Sequence, residues 1–491
     1  MRKVIITNII LIFGGLLLAN LFYQEEMGLN TILFSVPILV IALAKHRHKA
    51  PYALEVSITA AATFLAALAV VGNASVLAKV MYWISLLAFL GFIQHPSLRF
   101  IPFAFSAALS SLALLPKSLY QSWSRHIGGT TTIYQLSRQL LQLLVPLGLF
   151  FFFLLIYYVA NAKFGEIIDN ILVKFSGPSL MQFNLSQTLL FLLGFALFGA
   201  GFVISPTSRF FSALQQKMGL KLVRKRQKSW FIFSLNPLVL KNRFKIGLIT
   251  LAMLNGLLFL VNLTDLFYVW LSRRQLGAVE LSQYVHEGTY LLIFAILLAA
   301  VVVLVIFRKN LNFYPNNEGL KKLAYIWIGQ NIFMVFSVGH RNLQYLSAYG
   351  LTHKRIGVFI FLLIVTVGLV SLYLKIRDRK SIYFLLHRNS WSVFTILLVA
   401  SLINWNLLIT RINLHANFIQ HLDIHYLVVK LPTQNAFLLK KNEASITPQL
   451  QAHQAYLASR LEEKIGKAKE KKSIRSWNWP YYLNQKYFKL N

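Results

Sequence analysis

Cysteine is absent from all 491 residues. That excludes disulfides, zinc–thiolate sites, iron–sulfur clusters and cysteine nucleophiles, and it leaves the redox compartment unreadable. Acidic residues are scarce, 15 against 49 lysines and arginines, so paired carboxylates for acid–base or metal chemistry are hard to assemble. Charged residues of either sign make up only 13% of the chain, while 57% is hydrophobic. A soluble domain carries nearer ~25% charged residues.

What fills that space is a succession of apolar runs at 4–22, 29–44, 52–71, 76–93, 140–160, 186–204, 246–264, 289–307, 323–339, 356–374 and 391–410. Each approaches the ~20 residues needed to cross a ~30 Å hydrocarbon core as a helix. A further stretch, 100–115, is apolar but interrupted by Pro102, Ser106, Ser110 and Ser111. It reads as either a short span or a helix lying in the interface. The expected fold is all-α: a polytopic membrane bundle of eleven, or twelve, transmembrane helices with a small helical tail. The first run follows Arg2 and Lys3 and is too long for a signal h-region, so it reads as an uncleaved span.

Formal net charge is +34, which in a soluble protein would point to nucleic acid. Here the cations sit between spans, where membrane orientation and anionic headgroups account for them, and no nucleic-acid partner is expected. With the N-terminus cytoplasmic and 100–115 not crossing, the segments on the inside hold 28 Lys/Arg and the loops outside, the tail not counted, hold 7. This positive-inside bias favours eleven crossings in a cell (inner) membrane with the tail outside. The expected division is an N-terminal half at 1–204, a basic cytoplasmic loop at 205–245, a C-terminal half at 246–410 and an extracytoplasmic tail at 411–491.

The densest polar grouping lies in the C-terminal half. Asn255 and Asn262 share one span that ends at Thr264-Asp265, and His286 and Glu287 precede the next. Gln330 and Asn331 fall mid-span, followed by Arg341, Tyr349 and Arg355 in an expected outer loop. Intramembrane polar residues are functional candidates. Asp265, His286, Glu287, Arg341, Tyr349 and Arg355 near one face, with Gln330 and Asn331 deeper, are a candidate solute or polar-network site. The alternative is interhelical hydrogen bonding and loop closure without a ligand.

No motif specifies a reaction. Position 290 is Tyr, so His286-Glu287 does not complete a zinc-protease pattern, and Gly128-Gly129 lacks the Gly-Lys-Ser/Thr of a phosphate loop. His421 and His425 have i,i+4 spacing but no matching third ligand. No catalytic residue, metal or cofactor is expected, and the balance leans against an enzyme. The expected partners are anionic membrane lipids at the basic loops and an envelope protein at the tail. The functional readings are transport or sensing through an outward-facing polar site, or a non-catalytic envelope scaffold acting through its tail.

Several segments occur in a familiar order: YYVANAKF at 157–164, QYVHEGTY at 283–290, FRKNLNF at 307–313, LAYIWIGQN at 323–331, RNLQYLSAYGLTHKRIGV at 341–358 and LDIHYL at 422–427. Across roughly 140–430 the chain resembles a family of bacterial polytopic membrane proteins known only as a domain of unknown function, of the 4153/4173 type. The resemblance implies a bacterial cell-membrane protein with this bundle-plus-tail layout, and it brings no activity, cofactor or catalytic residue with it.

Overall fold

Apolar runs bounded by capping serines, asparagines and prolines form helices because a helix satisfies its own backbone polar groups where water is absent. The computed structural model describes residues 2–46, 54–95, 97–124, 167, 185–202, 206–224, 237–271, 278–307, 309–415, 422–444, 446 and 455–490. The expected span at 140–160, the YYVANAKF segment and His421 lie outside the described residues. Among those described, regular structure is helical apart from one isolated backbone bridge. Among the described residues four stretches combine the length and hydropathy to cross a membrane: Leu54–Asn73, Leu240–Asp265, His353–Arg377 and Ile382–Ser401. Shorter apolar helices accompany them.

The chain divides into two units: Met1–Gln215 with Lys472–Asn478, and Gln216–Lys471 with Trp479–Asn491. The first contains α1 (Arg2–Phe22), α2 (Leu29–His46), α3 (Leu54–Asn73), α4 (Val76–Phe92), α5 (Ile101–Ser124), α6 (Leu185–Phe202) and α7 (Pro206–Lys217). Helices α1 and α6 pack tightly, because a side chain at Gly194 would collide with the Gly14 carbonyl. Around that contact Phe198 meets Phe13 and Phe34 edge-on.

Helix α5 contains all but the first residue of the stretch 100–115. Gln94, just past α4, donates to the carbonyls of Ala107 and Ala200 and accepts from Ser111, while Leu115 lies against Gly199. Within this unit α5 packs against both α4 and α6.

Residues 472–478, expected to belong to a separate tail, are integrated into this first unit. They form a strap over the α1–α2 connection. The Leu29 and Asn30 amides donate to the carbonyls of Trp477 and Arg475, each at 2.9 Å. Lys472 pairs with Glu26 at 2.7 Å, and the hydroxyls of Ser473 and Ser476 donate to Glu25. Those hydroxyl bonds, Ser473 first, hold the Glu25 carboxyl below the usual carboxylate range.

The second unit contains α8 (Pro237–Asp265) with a π-helical turn at Leu266–Leu271, α9 (Ala278–Ile306), α10 (Glu318–Tyr349), α11 (His353–Arg377), α12 (Ile382–Ser401) and α13 (Trp405–His415). Helix α10 packs against α8, α9 and α11 and is the centre of this unit. Its 32 residues span about 48 Å, and His340–Tyr349, expected as an outer loop, form its last turns. The expected span at 391–410 also shifts. Ser381 caps a helix that ends at Ser401, and Trp405 starts a second one.

At one end of this unit Lys375 is fully buried and donates to the Phe307 carbonyl at 3.4 Å, at the C-terminus of α9. A cation is favoured there by the helix dipole. Nearby, the antiparallel bridge Lys221–Lys380 joins the basic segment to the α11–α12 turn. At another place the tail elements α14 (Ala436–Lys441), α15 (Ala455–Lys469) and α16 (Trp479–Leu490) assemble. Leu427, Val428, Leu439, Leu457 and Leu461 there pack with Leu351, Ile356 and Ile409. Buried Lys464 holds this cluster by donating to the carbonyls of Leu427, Val428 and Leu431 at 2.8, 3.1 and 3.0 Å. Burial pushes its pKa down to about 7.

Candidate functional site

Asn255 and Asn262 are seven residues apart on α8, and Gln330, Ser337 and Arg341 follow at intervals of seven and four on α10. Such spacing puts each set on one helical stripe. The two stripes face each other. Asn255 donates to the Leu323 carbonyl at 3.0 Å, Gln330 donates to Asn255 Oδ1 at 3.1 Å, and Asn262 donates to the Gln330 carbonyl at 3.2 Å. Beyond them Asp265 and Arg341 form an ion pair whose side chains are 5% and 6% exposed. The indole of Trp270 donates to Ser337 at 3.0 Å and stacks on His340 with 4.6 Å between ring centroids.

The hydrogen bonding of this seam is incomplete among the described residues. Asn262 Oδ1, Gln330 Oε1 and Asp265 Oδ2 are buried and accept no hydrogen bond from the described residues. Leaving a buried acceptor unmet costs about 1–3 kcal/mol. Three on one seam make a row of oxygens suited to hydrogen-bond donors.

The remaining expected residues separate from this row. Asn331 points away from Gln330 and donates to the Trp327 carbonyl of its own helix at 2.7 Å. Arg355 is buried over Tyr345, 4.2 Å from the ring centroid, and donates to the carbonyls of Tyr349 and Gly350. Its own carbonyl accepts from Asn342 at 3.0 Å. Gly350 has φ +78°, and a side chain there would strike Asn413, which bonds both backbone groups of Leu351. Arg355 and Tyr349 therefore hold the α10–α11 turn. His286 and Glu287, expected in a loop, fall within α9, and their side chains lie outside the described residues. Among the described residues no group of three or more His, Cys, Asp or Glu is placed to hold a metal.

Trp270 and Ser337 went unnoticed in the sequence, and His340 was read only as the start of an outer loop. The seven-residue spacing from Gln330 to Ser337 was the available signal, masked by the apolar residues between them.

A family model described as a domain of unknown function (DUF4153) matches residues 29–436. The chain belongs to this family. No curated protein and no solved structure matches it. The match begins well before the 140–430 of the resemblance and encloses the whole seam. Lys464 and the 472–478 strap lie beyond it.

Proposed function

We propose that the chain is a multi-pass protein of the cell membrane, with its N-terminus cytoplasmic, eleven crossings and its tail outside, and that the α8–α10 seam takes a small polar solute from the outer face. The loop contacts support the crossing count. Strap 472–478 meets the α1–α2 connection, Gln215 bonds Ser97 and Arg99, and Lys221 bridges Lys380. Each contact joins segments given the same side by the charge bias. With the strap and the far end of α1 on one side, an even number of crossings separates them, so the total is odd.

The observation that carries the solute reading is the row of unmet acceptors at Asn262, Gln330 and Asp265. A seam built only to hold helices together would satisfy such groups within the bundle. A donor-bearing solute, or the water it displaces, supplies the missing hydrogens, and the Asp265–Arg341 pair makes the outer end of the row polar.

The absence of native cysteine allows a direct test. Single cysteines at 262 and 330 should react in intact cells with a small, charged, membrane-impermeant thiosulfonate. A cysteine at 260, where Leu260 is 60% exposed on the apolar surface, should not. Protection of both seam positions would mean a dry seam and overturn the solute reading.

A further inference from the structure

The seam does not account for a separate cleft between α13 and α14 in the second unit. Its volume is about 730 Å³, and its walls mix two chemistries. Ile412, Phe437 and Leu438 form the apolar part, while Arg411, His415 and Lys441 stand on the wall with no acidic residue among the lining. Phe437 is backed by the Tyr487 ring of α16, so the apolar side is built and not merely a gap between helices.

The cations are available. Arg411 and Lys441 are both exposed, and neither forms an ion pair among the described residues. The neighbouring Lys440 takes Glu443 instead, at 2.5 Å. His415 turns its Nδ1 to the Arg411 backbone carbonyl at 3.0 Å. Position decides what kind of anion this suits. Helix α13 begins four residues after α12, one of the helices long and apolar enough to cross a membrane, and α13 is about 16 Å long. A cleft on it is within reach of a lipid headgroup layer.

We infer that this cleft binds the headgroup of an anionic phospholipid. Its phosphate sits between Arg411 and Lys441, and its glycerol and upper acyl chain lie against Ile412, Phe437 and Leu438. A guanidinium and an ammonium match a phosphate's charge, and the apolar wall has no use for a free inorganic anion. The site is independent of the solute reading and stands whether or not the seam is hydrated.

The test is native mass spectrometry of the full chain in detergent, titrated with dioleoyl phosphatidylglycerol or dioleoyl phosphatidylcholine. Phosphatidylglycerol should bind at least about tenfold more tightly than phosphatidylcholine. Arg411→Gln/Lys441→Gln should lose that preference, and Arg411→Lys/Lys441→Arg should keep it. Arg460→Gln/Lys467→Gln removes the same charge from α15, where both residues pair with Glu463, and should leave the preference intact. An unchanged melting temperature separates loss of binding from loss of fold in the glutamine variant. Equal phosphatidylglycerol binding by that variant and the native chain would overturn the assignment. So would displacement of the lipid by millimolar glycerol 3-phosphate or inorganic phosphate, which would make the cleft a site for a soluble anion.

Discussion

Asp265 and Arg341 are individually costly and jointly tolerable. Removing either partner leaves an uncompensated buried charge, a loss of roughly 3–5 kcal/mol. Asp265→Ala and Arg341→Ala should each lower the stability of the second unit by about that amount. The double variant should lose much less than their sum, as read by denaturant unfolding in detergent. Additive losses would mean that the two groups do not depend on one another. Arg355 behaves differently. Its charge is spread over two carbonyls and the Tyr345 face, so its role is to shape the α10–α11 turn. Both arginines look like outer-loop cations in the sequence, and their chain neighbours do not distinguish them. The difference lies in what each meets: a carboxylate on another helix, or the carbonyls of its own turn.

At the scale of elements, helix positions were largely legible, because sustained hydropathy is a property of a continuous window. Ends were less so. Helix α10 runs past His340 because Arg341 and Asn342 turn inward to partners, so a fall in hydropathy did not mark an exit from the bundle. The strap was not legible. Its backbone bonds to Leu29 and Asn30 cross some 450 residues of chain and depend on no side-chain pattern. It does carry a titratable part, since Glu25 is held below its ordinary pKa by the Ser473 and Ser476 hydroxyls. A carboxylate with a depressed pKa stabilises fully above its unfolded value of about 4.3 and loses that contribution as pH falls through the folded value. Amide protection at Leu29 and Asn30, corrected for intrinsic exchange, should therefore persist at pH 5 and fall as the solution is acidified below 4. Glu25→Gln should remove that pH dependence. Protection that stays constant to pH 3 would show that the backbone bonds alone hold the strap.

Over the whole molecule, the basic residues and the contacts between loops bear on the same question from different physics. One reflects the cost of moving cations across a bilayer, the other the closeness of segments after folding. Single cysteines at 120, 347 and 450 test them together. Labelling of intact cells by an impermeant maleimide should reach 347, where Ser347 is exposed, and 450, and spare 120. The reverse pattern would put the tail and the outer end of the seam in the cytoplasm.

The sequence by itself determined that the chain is helical and apolar enough for a membrane, where most helices lie, and which family it belongs to. These follow from composition summed along the chain and from motifs in order. Tertiary structure decided that α8 and α10 share a polar seam, that α5 packs against α4 and α6, that Arg355 closes a turn, and that 472–478 returns to the first connection. Lipid is as apolar as leucine, so hydropathy does not say which helix faces which. That choice is made by close packing at small residues such as Gly14 and Gly194 and by pairing of buried polar groups, and both depend on surfaces that meet only after the chain has folded.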